Sequence, residues 1–259
     1  MTSALAGVEI TDASALVTGA NRGLGKAFVR ELLDRGARRV YAAARNPKAS
    51  TSRTTGLSRS DWTSPNPDDV RAAAERCGDV AMVINNAGAM LRSPLLATPD
   101  LSAARDEMEV NYFGTLAMCR AFAPVLAENG GGAVVNVLSV ASWLASPFNG
   151  SYCASKSAEW ALTNAIRTEL RAAGTLVGGV HAGWIDTDMA ANVPDAKIST
   201  GDVAAQTLAA VQHGAEEVLT DEGTRQVKEA LPQDYSLYPE IQRQWDANEW
   251  PWRPERVSP

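Results

Sequence analysis

Residues 14–25 read SALVTGANRGLG: a short apolar run that ends in glycine, with two more glycines before a helical pattern begins. The run 14–19 predicts a buried strand, and the apolar spacing of 25–37 predicts an amphipathic helix. The glycines between them are Gly19, Gly23 and Gly25. Because glycine lacks Cβ, such a turn lets the backbone approach a phosphate at a helix N-terminus. The stretch therefore predicts a strand–turn–helix unit that binds a dinucleotide pyrophosphate.

The rest of the chain repeats this alternation of short apolar runs with longer helical stretches. Further strands are predicted at 38–45, 80–88, 133–139 and 176–183. Buried strands separated by helices imply parallel crossovers, so we expect an α/β fold with a doubly wound parallel sheet, the Rossmann fold. We find no internal repeat and no interdomain linker. One domain is expected over residues 1–259, with 232–259, rich in Pro and Trp, as an irregular C-terminal tail.

Composition narrows the class of protein. The 259 residues are 45% hydrophobic and 21% charged, the usual balance of a soluble globular protein. With a net charge of −6, the chain gives no reason to expect a nucleic acid or a membrane as partner. Three cysteines without a C-x-x-C pair predict neither disulfides nor a metal site. The N-terminus lacks the features of a signal peptide, so we expect a cytoplasmic location.

The end of the second predicted strand bears on the choice of dinucleotide. Folds that prefer NAD usually carry an acid here, bonded to the ribose 2′-hydroxyl, but this chain has Ala44 followed by Arg45. An arginine would instead bind a 2′-phosphate, and Arg22 in the glycine turn could reach the same group. These residues favour NADP(H) as the cofactor. The alternative, that both arginines face solvent, stays open.

The stretch SYCASK, residues 151–156, places Tyr152 one helical turn before Lys156. A free phenol has a pKa of about 10, and a cation within ~4–6 Å favours the phenolate and lowers that pKa. The pair therefore predicts a tyrosine that acts as general acid, with its acidity tuned by the lysine.

Several motifs in one order resemble those of the short-chain dehydrogenases/reductases, over about residues 12 to 190. They are TGANRGLG, then NNAG at Asn85 to Gly88, NYFG with Asn111, a serine at the end of a strand, Ser139, and the Tyr152/Lys156 pair. Tyr152 lies 13 residues after Ser139, the spacing usual in that family. Two features depart from the family: Ala182 replaces a proline in HAGWIDTDM, and no glycine-rich C-terminal strand follows. A homo-oligomer is left open, but the second departure speaks against the family's common tetramer.

The resemblance implies a role for each matched residue. Asn111, Ser139, Tyr152 and Lys156 would be catalytic, with Ser139 holding the substrate oxygen and Asn111 kinking its helix. The implied cofactor contacts are Gly19, Asn21, Arg22, Gly23, Leu24, Gly25, Arg45, Asp61, Trp62, Asn85, Ala87, Gly88, Tyr152, Lys156, Gly183, Ile185 and Thr187. The implied substrate contacts are Ser139, Trp143, Phe148, Tyr152 and Trp184.

These residues predict an NADP(H)-dependent oxidoreductase that interconverts a ketone or aldehyde with an alcohol by hydride transfer. The three aromatic side chains of the expected pocket favour a carbonyl reductase acting on an apolar or aromatic small molecule. Two alternatives remain: a reductase of C=N or C=C bonds on the same fold, and a non-catalytic NADP-binding sensor. Both histidines, His181 and His213, are expected to be structural.

Overall fold

A computed structural model describes residues 5–44, 54–58, 67–247 and 249. Seven strands form one sheet: β1 (Ser14–Thr18), β2 (Arg39–Ala44), β3 (Thr54–Ser58), β4 (Val80–Asn85), β5 (Gly132–Val137), β6 (Thr175–His181) and β7 (Glu217–Leu219). Their order is β3-β2-β1-β4-β5-β6-β7, and every neighbouring pair runs parallel. This is the predicted doubly wound sheet, and it confirms the α/β single-domain fold.

Eight α-helices are described between and after these strands. They are α1 (Gly23–Asp34), α2 (Pro67–Arg76), α3 (Ser102–Met108), α4 (Gly114–Glu128), α5 (Gly150–Arg171), α6 (Thr200–Gln212), α7 (Glu222–Ala230) and α8 (Tyr238–Ala247). Within the described ranges, none is long and apolar enough to cross a membrane.

The two faces of the sheet carry separate hydrophobic cores. Strand side chains alternate between the faces, so Val17 packs with α1 and α6 while Leu16 packs with α2, α4 and α5. The central strands are buried on both faces, which explains why they read as continuous apolar runs in the sequence. Fully buried Phe28 of α1 and Phe122 of α4 anchor the two helical layers.

The C-terminal segment corrects one prediction. An irregular tail is predicted over 232–259, but its described part forms a 3₁₀ segment, Leu231–Leu237, followed by α8. Pro239 lies in the first turn of α8. Backbone N–H groups there make no intrahelical hydrogen bond, so the N–H that proline lacks costs the helix nothing. Ile241 and Trp245 lie four residues apart and so share one face of that helix. That short apolar spacing was obscured in the sequence by the surrounding polar residues.

Candidate active site

A cleft of about 850 Å³ opens at the carboxyl end of the sheet. It includes residues that follow β1, β4, β5 and β6. The strand order reverses between β1 and β4, and open α/β sheets bind their ligands at such a point. The volume lies within the range of cofactor and ligand sites, about 300–1,000 Å³.

The glycine turn forms one end of the cleft and has the shape that a phosphate requires. Gly19 and Gly23 adopt positive φ angles of 66° and 49°, where a side chain would be strained. A Cβ on Gly25 would lie 2.6 Å from the Asn86 amide nitrogen and closer still to the Gly19 carbonyl oxygen. The N-terminus of α1 begins at Gly23, so its free N–H groups lie at this turn. The residues present therefore fit a dinucleotide pyrophosphate.

Hydrogen bonds between β1 and the end of β4 stiffen this turn. The Thr18 hydroxyl accepts from the backbone nitrogens of Asn86 and Ala87, at 2.9 and 3.0 Å. The Asn86 amide donates to the Thr18 carbonyl at 2.9 Å. Asn86, Ala87 and Gly88 line the cleft, whereas Asn85 is not among the described residues that do. Asn85 is buried and donates to the Asn136 side chain on β5 at 2.9 Å, so its side chain lies away from the cleft in which a cofactor contact was expected.

The residues expected to select NADP(H) are placed only in part. Ala44, at the end of β2, lines the cleft where an acid would meet a ribose 2′-hydroxyl. Arg22 also lines the cleft, and its guanidinium pairs with Asp188 at 2.9 Å on the exposed surface. Arg45, Asp61 and Trp62 lie outside the described residues.

Three of the four residues expected to be catalytic lie just after β5 or on α5. Tyr152 and Lys156 lie on α5, and Ser139 follows β5 as the N-cap of a 3₁₀ turn. All three line the cleft and are at most 9% exposed. The Ser139 oxygen accepts from the Ala141 nitrogen at 3.1 Å, which fixes the hydroxyl at the cleft wall.

The acidity of Tyr152 differs from the expectation. Burial is the largest influence on the phenol and raises its pKa, and Glu159 raises it further. Lys156 and Ser139 lower the pKa, but the net shift is upward. The Lys156 ammonium lies 6.0 Å from the ring centroid and donates to Glu159 at 2.6 Å and to the Val137 carbonyl at 2.8 Å. The lysine therefore acts on the phenol in the predicted direction, but its charge is shared with a carboxylate.

Asn111 supports the site from behind the cleft. It lies in a π-helical turn, Glu109–Phe113, between α3 and α4, which is the expected distortion of that helix. Its amide donates to the Ala89 carbonyl at 2.9 Å and to the Ser155 hydroxyl at 2.8 Å, and its oxygen accepts from the Ala89 nitrogen at 2.8 Å. These bonds tie the chain after β4 to α5.

The turn after β6 keeps its expected cleft-lining residues, although Ala182 stands where the family usually has proline. Gly183, Ile185 and Thr187 all line the cleft, as the resemblance implied. The Gly183 nitrogen donates to the Asp221 carboxylate at 2.8 Å, and Asp221 also caps α7 by accepting from the Thr224 nitrogen at 2.9 Å. Asp221 thus connects the turn to the C-terminal helices.

The expected aromatic wall is wrong for two of its three residues. Trp184 lines the cleft, but Trp143 and Phe148 are not among the described residues that do. Trp143 stacks on His181, with ring centroids 3.8 Å apart, and burial lowers the pKa of that histidine to about 4, so its ring is neutral. Phe148 is buried to 1% exposure. Trp143 and Phe148 therefore serve as packing residues. Their aromatic type alone does not indicate which way their side chains face.

Several residues of the site were missed in the sequence. Met189 after β6, and Ile241 and Gln244 of α8, line the cleft, and Glu159 pairs with Lys156 beneath it. Glu159 alone carried a signal, since it lies three residues after Lys156 and seven after Tyr152, hence on the same helix face. Ile241 and Gln244 reach the cleft through tertiary packing, which no local pattern reports.

The fold agrees with that of known proteins. A model of the short chain dehydrogenase family matches residues 13–198, and the chain belongs to that family of oxidoreductases. A crystal structure of a short chain dehydrogenase from Burkholderia cenocepacia J2315 in complex with NADP is similar, with 41% identity and a TM-score of 0.84. That match covers 90% of this chain and 99% of the other.

Curated relatives are more distant. "Dehydrogenase/reductase SDR family member 7B" of Danio rerio is 30% identical over 199 residues, which cover 71% of this chain and 64% of that protein. The matched region thus spans just under two thirds of the relative's length. An "Uncharacterized oxidoreductase" of Staphylococcus aureus (strain USA300) is 29% identical, covering 70% of this chain and 82% of that protein.

Proposed function

We propose that this chain is an NADP(H)-dependent carbonyl reductase that converts an apolar ketone or aldehyde to an alcohol. The observation that carries the proposal is the placement of a buried phenol, Tyr152, beside Ser139 and Lys156 in the wall of a cleft that also holds a phosphate-binding turn. A general acid next to a bound dinucleotide is what carbonyl reduction requires.

The cofactor assignment rests on three features of the cleft. The glycine turn fits a pyrophosphate, and Ala44 leaves the 2′ position free of an acid that would repel a phosphate. Arg22 lies at the edge of the cleft, and Arg45 follows Ala44 in the chain. The similar Burkholderia cenocepacia protein was solved with NADP, which supports the same cofactor here. When bound, this cofactor supplies a hydride to the carbonyl carbon.

The protein's own residues position the carbonyl and supply the proton. The Ser139 hydroxyl, held by its bond from the Ala141 nitrogen, would donate to the carbonyl oxygen and stabilise the charge that develops there. Tyr152 would donate the proton that converts this oxygen to a hydroxyl. Because burial raises the pKa of the phenol, the tyrosine enters the reaction protonated, which suits reduction. Lys156 then stabilises the phenolate that remains.

Much of the cleft wall beyond the glycine turn is apolar. Its apolar side chains come from four segments of the chain, namely Met90, Leu144, Trp184 with Met189, and Ile241. Gln244 of α8 adds a polar group, so the C-terminal helix contributes to the choice of substrate. An apolar wall with few polar groups favours a hydrophobic carbonyl compound over a sugar.

The test is oxidation of NADPH, followed by absorbance, with a panel of apolar and aromatic ketones and aldehydes, sugars, imines and enones. We expect turnover of apolar carbonyl compounds, and a loss of about 10²–10⁴-fold in Tyr152→Phe without loss of NADPH binding. Tyr235→Phe is the matched control, because Tyr235 is 86% exposed and its variant should keep full activity. Turnover confined to imines or enones, or a fully active Tyr152→Phe, would contradict the proposal.

A further inference from the structure

His181, the last residue of β6, is buried behind the turn that carries Ser139, and its side chain is 1% exposed. Ring nitrogen Nδ1 lies 3.2 Å from the Ser139 carbonyl oxygen. The ring also stacks on that of Trp143, with centroids 3.8 Å apart and planes inclined by 20°. One histidine thus contacts the first and the last residue of segment 139–143, which we call the serine turn.

The contact with Ser139 determines which ring nitrogen carries the proton. A carbonyl oxygen only accepts hydrogen bonds, so this contact requires a proton on Nδ1. The other nitrogen, Nε2, lies 3.9 Å from Glu217 Oε1 of β7, beyond hydrogen-bond range. Burial lowers the pKa of His181 to about 4, so near neutral pH the ring is neutral and has one proton to place. His181 is therefore a donor to the Ser139 carbonyl.

The serine turn is bonded within itself. The Ser139 carbonyl also accepts from the Ser142 nitrogen at 3.0 Å, and the Ser142 hydroxyl accepts from the Ser139 nitrogen at 3.3 Å. The Ser139 hydroxyl accepts from the Ala141 nitrogen at 3.1 Å. The carbonyl and the hydroxyl of Ser139 thus belong to one small bonded unit, so a displacement of the carbonyl would be passed on to the hydroxyl at the cleft wall.

Two further bonds hold the serine turn to its neighbours. The Val140 nitrogen donates to the Ala182 carbonyl at 3.0 Å, and the Ser157 hydroxyl of α5 donates to the Ser142 carbonyl at 3.0 Å. Both act on the later residues of the turn. His181 adds a bond to the carbonyl of its first residue, which is the residue that bears the hydroxyl of interest.

The orientation of the histidine ring is itself held by its neighbours. One face of the ring packs on Trp143, and Lys228 Nζ of α7 lies 4.5 Å from the centroid of the Trp143 ring. Lys228 also pairs with Glu217 at 2.7 Å, which anchors it to β7. Trp143 therefore keeps the imidazole in one plane, with Nδ1 towards the Ser139 carbonyl.

We propose that His181 is a positioning residue: by donating from Nδ1 to the Ser139 carbonyl, it holds the serine turn so that the Ser139 hydroxyl meets the substrate oxygen. The inference rests on the proposed function, in which that hydroxyl stabilises the charge developing on the carbonyl oxygen. A misplacement of about 1 Å in such a group can lower the rate by about 10²-fold. His181 acts through Ser139 and does not touch the substrate.

The test compares two amides that place a donor at different ring positions. The amide nitrogen of His181→Asn is two bonds from Cβ, as Nδ1 is, whereas that of His181→Gln is three bonds away, as Nε2 is. With any compound that the wild type reduces, we expect kcat of His181→Gln to be about 10–100-fold below that of His181→Asn, with similar KM and NADPH affinity. Glutamine fills more of the space of the imidazole, so packing alone predicts the opposite order. Equal kcat in the two variants, or a higher kcat in His181→Gln, would overturn the proposal.

Two measurements need no substrate and so separate this proposal from the proposed function. Nitrogen NMR of the isotope-labelled wild type should show the His181 proton on Nδ1. Crystal structures should show Ser139 Oγ displaced in His181→Gln and in place in His181→Asn. A proton on Nε2, or a Ser139 hydroxyl that stays in place in both variants, would overturn the proposal. Absence of carbonyl turnover in the wild type would contradict the proposed function alone.

His213 is the matched control, because it is the other histidine of the chain and lies exposed at the end of α6. His213→Asn and His213→Gln should both keep the wild-type kcat, and His213→Asn also assigns the remaining histidine NMR signals to His181. If a His181 variant does not fold, Trp143→Leu removes the ring that orients the histidine and should lower kcat by more than it raises KM. An unchanged kcat in Trp143→Leu would then overturn the proposal.

Discussion

The rings of Phe148 and Trp245 pack against each other with centroids 5.0 Å apart and planes inclined by 58°. Phe148 directly precedes α5, which carries Tyr152 and Lys156, and Trp245 lies on α8, so this contact links the C-terminal helix to the candidate active site. Ile241 and Gln244 of the same helix line the cleft. The aromatic pair therefore sets the position of one wall of the proposed substrate pocket.

Removing the Trp245 ring should loosen α8 without unfolding the domain. An aromatic pair is worth about 0.5–1.5 kcal/mol beyond its buried area, so in Trp245→Ala we expect amide hydrogen exchange over 238–247 to speed up by about two- to tenfold. The KM for substrate should rise more than kcat falls. Gln242→Ala, on the exposed side of α8, is the control and should leave the exchange rates unchanged. Equal exchange in Trp245→Ala and wild type would show that the ring pair does not hold the helix.

Gly25→Ala should abolish cofactor binding. The added Cβ would overlap the Gly19 carbonyl and the Asn86 amide, so the turn must shift, at a cost of about 1–3 kcal/mol in the free energy of unfolding. Gly201→Ala is the matched control, because a Cβ there meets only the Ser199 hydroxyl, at 3.8 Å. Urea unfolding and NADPH fluorescence titration measure the two effects. A Gly25→Ala protein that binds NADPH normally would refute the close approach at this turn.

The Asp221 carboxylate should make stability depend on pH in acid. Burial raises its pKa, but bonds from the Gly183 and Thr224 nitrogens and from the Thr224 and Thr220 hydroxyls together outweigh burial and leave the pKa below its ordinary value of about 3.9. A lowered folded pKa means that the contribution is complete above the unfolded pKa and is lost as pH falls through the folded pKa.

Asp221→Ala should therefore lower the free energy of unfolding by about 1–2 kcal/mol near neutral pH, the usual value of an N-cap. The difference from wild type should shrink as the pH of urea unfolding is lowered below the ordinary carboxyl pKa of about 3.9. Asp106→Ala, at an exposed position of α3, is the control and should cost much less in the free energy of unfolding near neutral pH. A difference that stays constant into acid would mean that the carboxylate charge is not what stabilises the turn.

Much of the fold could be predicted because its signals are local. The glycine turn at Gly19 to Gly25 and the apolar runs of the central strands each follow from the backbone and burial needs of one segment. The positions of Ser139, Tyr152 and Lys156 could be predicted as well, since their spacing places them at a strand end and on one helix face.

What the sequence did not reveal depends on which side chains meet across the fold. Trp143 turns to stack on His181, and Phe148 is covered by Trp245, so neither residue lines the cleft as expected. Asn85 and Asn86 are neighbours of the same residue type. Successive side chains of an extended chain point to opposite sides, so at the end of β4 Asn86 faces the cleft and Asn85 does not. The direction of the Tyr152 pKa shift likewise depends on burial and on Glu159. The spacing of Tyr152 and Lys156 in the sequence gives no information on either.

The most direct measurement is titration of the purified protein with NADPH and with NADH, followed by fluorescence, in wild type, Arg22→Ala and Arg45→Ala. Charge-assisted hydrogen bonds contribute about 1.5–3 kcal/mol each, so the two arginines predict that NADPH binds roughly 10²–10⁴-fold more tightly than NADH. The arginine variants should lose most of that preference while keeping their affinity for NADH. Equal or tighter binding of NADH by the wild type would contradict the NADP(H) assignment and the reductive role built on it.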